Sequence, residues 1–100
     1  MKVRAAPQPP AAPPAGELRV LIVDDNRDFA ENIAELVVDL GHRAEVALTG
    51  REGVERFARA PSEVAIIDLQ LPDTTGNRVI ARLKEISPEC VCIVFTGNAT

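Results

Sequence analysis

One hundred residues with a formal net charge of −4 suit a single small domain, and the scattered Lys and Arg form no basic block for nucleic acid or an anionic membrane. No apolar run approaches the ~20 residues of a membrane-spanning helix, and the N-terminus lacks the apolar stretch of a secretory signal. Together with two cysteines too close in sequence to pair well, this points to a cytoplasmic protein.

The first element in chain order is a tail. Residues 1–16, MKVRAAPQPPAAPPAG, hold five of the eight prolines and almost no large apolar side chain. Proline fixes φ and lacks an amide donor, so this stretch is predicted to be a disordered tail or linker, leaving residues 17–100 to fold. Leu18 to Val23 then reads as a continuous apolar strand, broken only by Arg19. Phe29, Ile33, Leu36, Val37 and Leu40 fall on one helical face, with Asn26 as predicted N-cap and Gly41 just past the end. RAEVAL (43–48) alternates like a strand with one wetter face. Thr49 and Glu52 have capping-box spacing and open a second helix, with Val54, Phe57 and Ala58 apolar and Pro61 as its stop. VAIIDL (64–69) is a third strand, QLPDTTG (70–76) a loop, and Val79, Ile80, Leu83 and Ile86 mark a third helix ended by Pro88. CVCIVF (90–95) is a fourth strand.

The order βαβαβαβ, with nearly continuous apolar strands, predicts a parallel sheet covered by helices on both faces. Cys90 and Cys92 are expected as a buried, reduced pair. A Cys-x-Cys metal site lacks partners, because His42 is the only histidine and is expected at the surface.

The acids decide the functional reading. Asp24 and Asp25 follow strand 1 and Asp68 ends the apolar run of strand 3. In an open parallel sheet, ligands gather beyond the carboxyl ends of the strands. If strands 1 and 3 are neighbours, three carboxylates meet there, and like charges at ~4 Å repel by about 4 kcal/mol at an effective dielectric near 20. A cation is then expected, and hard oxygen donors without Cys or His suit Mg2+. Taken singly, a helix cap and a solvated carboxylate account for Asp24 and Asp25. Asp68 has no helix directly after it to cap.

The segments LIVDDN, AIIDLQLPDTTG and IVFTGN, spread over residues 18–100, resemble the receiver domain of two-component response regulators. The resemblance implies a flavodoxin-like, doubly wound α/β fold. It implies Asp68 as phosphoacceptor, taking a phosphoryl group from a sensor histidine kinase or phosphotransfer protein. Asp24, Asp25, Asp68 and the Gln70 backbone carbonyl would hold Mg2+. Thr96 would be the switch hydroxyl that contacts the phosphoryl group, and Pro72 and Gly76 match the loop after the phosphorylated Asp. Such a module is a phosphoacceptor and not an enzyme in the ordinary sense; it is not expected to contact nucleic acid or membrane.

The pattern departs in one respect. The family's lysine follows a fifth strand, and neither Lys2 nor Lys84 fits that place. The expectation is therefore an incomplete receiver domain: a fragment, a truncated product or a chain completed by a partner. Its strand 4 would be an exposed edge open to self-association. The alternative reading is a receiver-like interaction module that is not phosphorylated. A haloacid dehalogenase-type phosphatase needs a second acid two residues after the nucleophile, where this chain has Gln70. A dinucleotide fold needs glycines where this chain has DDNRD.

Overall fold

The structure, a computed structural model, describes residues 16–95. The expected tail lies outside the described residues except for Gly16. Seven elements follow in strict alternation: β1 (Arg19–Val23), α1 (Arg27–Asp39), β2 (Arg43–Ala47), α2 (Gly50–Arg59), β3 (Val64–Asp68), α3 (Gly76–Ile86) and β4 (Val91–Phe95). The four strands form one parallel sheet in the order β2-β1-β3-β4, the doubly wound, flavodoxin-like arrangement that the resemblance implies.

Successive side chains of a strand point to opposite faces, and β1 supplies both cores. Leu21 and Val23 join Ala65, Ile67, Phe57, Val79 and Leu83 on the face covered by α2 and α3. Val20 and Ile22 pack with Ala30 on the face covered by α1. Cys90 and Cys92 are free thiols that pack with the larger cluster. Burial first, and then the neighbouring Cys92, push the Cys90 thiol up to about 12, so it stays protonated and behaves as a small apolar side chain.

The helix ends follow the expected chemistry with two refinements. Asn26 caps α1 by accepting the Phe29 amide at 3.1 Å, and Gly41 takes φ +95° just beyond the C-cap, a conformation that suits glycine. At α2 the Glu52 amide donates to Thr49 Oγ1 at 3.0 Å, but the Glu52 carboxylate accepts from Leu48, one residue before the cap. Thr75, which the sequence reading treats only as loop, caps α3 by accepting the Arg78 amide.

The apolar face of α1 is the main correction. Ala30, Ile33, Ala34 and Val37 turn inward, while Phe29, Leu36 and Leu40 are exposed. The two alanines sit with Ile33 and Val37 against the cluster that Val20 and Ile22 supply from β1. Ala58 and Ile86, expected inside, are likewise exposed. On β4, Val91, Ile93 and Val94 are 57%, 48% and 40% exposed, and Phe95 stacks at a tilt on Phe29 with ring centroids 5.4 Å apart. His42 is half-buried and accepts the Leu18 amide through Nδ1 at 3.0 Å, which ties β1 to the α1–β2 turn. Among the described residues no helix is long and apolar enough to cross a membrane.

Candidate metal and phosphoacceptor centre

Strand register builds the site. Val23 pairs with Ile67, so the next residues on both strands, Asp24 and Asp68, reach the carboxyl edge of the sheet side by side. Asp24 and Asp68 are buried, at 3% and 7% exposure, and Asp25 beside them is open to solvent. One oxygen from each of the three carboxylates lies within 4.8 Å of the others. The convergence expected from the sequence is therefore present.

Each buried acid is steadied by its own chain. Asp24 Oδ1 accepts the Asn26 amide at 2.9 Å, and the Asp24 amide donates to the Ala47 carbonyl at 3.0 Å. Asp68 Oδ1 accepts the Gln70 amide at 3.1 Å. Asp24 thus supports the capping residue Asn26 but is not itself the cap. Burial raises the Asp24 pKa; the Asn26 amide opposes the rise, and the charges of Asp68 and Asp25 add to it. Among the described residues, none of the three acids pairs with a Lys or Arg. At an effective dielectric near 20 the buried pair alone carries about 3 kcal/mol of repulsion. Three oxygen donors with uncompensated charge, and no nitrogen or sulfur ligand among them, fit a small hard cation.

The loop after Asp68 is short and internally bonded. Leu71 donates to the Thr74 carbonyl at 3.1 Å and Gly76 donates to the Leu69 carbonyl at 2.8 Å, which sets Gln70 opposite Thr75. Pro72 is exposed in this loop. Gly76 is buried and is the first residue of α3 rather than the last of the loop. A Cβ at Gly76 would sit 2.5 Å from the Asp68 carbonyl oxygen and 3.0 Å from Leu69 Cα, so only glycine lets α3 begin this close to the acid. Thr96 lies outside the described residues; Phe95 before it pairs with Asp68. Lys84 donates to the Pro88 and Cys90 carbonyls and braces the α3–β4 turn, away from the acids, as the sequence suggests. Asp73, which the sequence reading passes over, accepts the Gly50 and Arg51 amides at 2.9 Å each.

Residues 20–100 match the response regulator receiver domain. The chain belongs to that family. A response regulator receiver protein of Anaeromyxobacter sp. (strain Fw109-5) is 35% identical to this receiver over 80 residues, which are 80% of this chain and 34% of that protein. The photosynthetic apparatus regulatory protein RegA of Rhodovulum sulfidophilum is 35% identical over 78 residues, 78% of this chain and 43% of that protein. The receiver thus spans less than half the length of these curated relatives. Among solved structures, a response regulator protein from Burkholderia pseudomallei with a phosphorylated aspartic acid, calcium ion and citrate superimposes with a TM-score of 0.76 at 28% identity. That match covers 82% of this chain and 48% of the other.

Proposed function

We propose that this receiver domain accepts a phosphoryl group on Asp68 in two-component signalling, with Mg2+ held by Asp24, Asp25, Asp68 and the Gln70 backbone carbonyl. The observation that carries the reading is the meeting of three carboxylates from two strand tips with no cation paired to them among the described residues. The similar Burkholderia pseudomallei protein, with a phosphorylated aspartic acid and a calcium ion, supports both halves of it.

In the proposed reaction an Asp68 carboxylate oxygen attacks the phosphorus of a phosphohistidine on a partner kinase or phosphotransfer protein. The P–N bond breaks, the imidazole nitrogen keeps the electron pair and takes a proton, and Asp68 becomes an acyl phosphate. Magnesium, when bound, supplies positive charge where the transferring phosphoryl oxygens gather. Asp24 and Asp25 hold that charge in place, the Asn26 amide orients Asp24, and the Gln70 amide fixes one Asp68 oxygen. Thr96 is assigned the hydroxyl that donates to a phosphoryl oxygen. The reading places the protein in the cytoplasm.

Labelling by a small phosphodonor such as acetyl phosphate tests the assignment. The expected result is Mg2+-dependent incorporation that Asp68→Ala abolishes. Equal labelling of Asp68→Ala contradicts it. Binding to a kinase with no response to phosphodonor or Mg2+ favours an unphosphorylated interaction module.

A further inference from the structure

The loop between Asp68 and α3 is fastened to the start of a different helix. Asp73 Oδ1 accepts the Gly50 amide and Oδ2 the Arg51 amide, each at 2.9 Å. These are the first two helical amides of α2, which have no acceptor within the helix. Thr49 already caps α2 locally, and Arg51 lies at the surface where water would serve its amide, so the helix alone does not require a carboxylate from more than twenty residues away. The contact is close: a Cβ on Gly50 would run into the Thr74 side chain and stand 2.9 Å from Val79 Cγ2. The two amides also keep the Asp73 carboxylate ionised below its usual range.

We infer that Asp73 is a positioning residue, which fixes the Gln70 backbone carbonyl for the divalent cation by hooking the Asp68–Gly76 loop onto the first two amides of α2. The inference rests on the cation site proposed above. Gln70 lies opposite Thr75 between the Leu71–Thr74 and Gly76–Leu69 hydrogen bonds, so the hook at Asp73 reaches its carbonyl through a short, bonded turn. Mg2+ demands near-octahedral geometry, and a carbonyl already held in place loses no loop freedom on binding. Neither Asp73 oxygen is itself offered as a ligand.

Magnesium titration calorimetry on the full chain, with amide hydrogen exchange at Leu71 and Gly76, tests this. Asp73→Ala is expected to weaken Mg2+ binding about tenfold, as loss of an outer support does elsewhere, and to speed exchange at both amides. Asp73→Asn keeps an acceptor for Gly50 but not for Arg51 and is expected to fall between; it carries the test should the alanine variant not fold. Glu55→Gln, which breaks only the exposed pair with Arg51, is expected to bind Mg2+ like the wild type. Unchanged affinity and exchange in a folded Asp73 variant overturn the inference. So does an equal loss in Val37→Ala, which loosens the separate cluster on the α1 face of the sheet. Wild-type protein that binds no Mg2+ overturns both the inference and the cation site. Binding that follows Asp73 in a protein that never takes up phosphate upholds the inference and overturns only the phosphoacceptor reading.

Discussion

At the scale of single residues, the site is a local sacrifice of stability. Asp24 is buried between two like charges and its pKa is raised, first by burial. Replacing it with Asn removes repulsion while keeping an acceptor for the Asn26 amide. Asp24→Asn is therefore expected to stabilise the protein in EDTA by about 1–3 kcal/mol and to reduce the stabilisation that added Mg2+ gives; thermal melts with and without the ion check both. A variant less stable than wild type in EDTA contradicts the account. The acids were legible in the sequence because each ends an apolar strand run, and strand tips are where such folds bind. Asp73 was not, because its partners Gly50 and Arg51 lie more than twenty residues away and loop composition carries no sign of them. Thr75 did carry a signal, a hydroxyl residue directly before a helical run, which loop composition masked.

At the scale of elements, strand and helix positions followed from periodicity to within a residue or two at most ends. The facing of α1 did not, because large apolar residues at helical spacing outweigh alanines in a pattern, whereas packing against a sheet favours the alanines. The start of α2 gathers two carboxylates whose pKa values are lowered. For Glu52 the main cause is the Leu48 amide, and for Asp73 the Gly50 amide and then that of Arg51. A lowered pKa means that the folded state holds fewer protons than the unfolded chain in the acid range. The stability these groups supply is complete above their ordinary values of 4.5 and 3.8 and is lost as pH falls through the lowered ones. Urea unfolding from about pH 6 down to about pH 3 is expected to show this decline, and Asp73→Asn to flatten part of it. Parallel pH curves for variant and wild type contradict the assignment.

At the scale of the whole molecule, two features stand at opposite poles of function. The sheet's carboxyl edge concentrates charge, and its β4 border leaves Val91, Ile93 and Val94 partly uncovered. The central claim is that acids from two strand tips form one cation site. A Mg2+ titration followed by amide chemical shifts tests it most directly. The account predicts saturable shifts centred on residues 24–25 and 68–70, absent from the protein carrying Asp25→Asn and Asp68→Asn together; no shifts, or shifts unaffected by those substitutions, would contradict it.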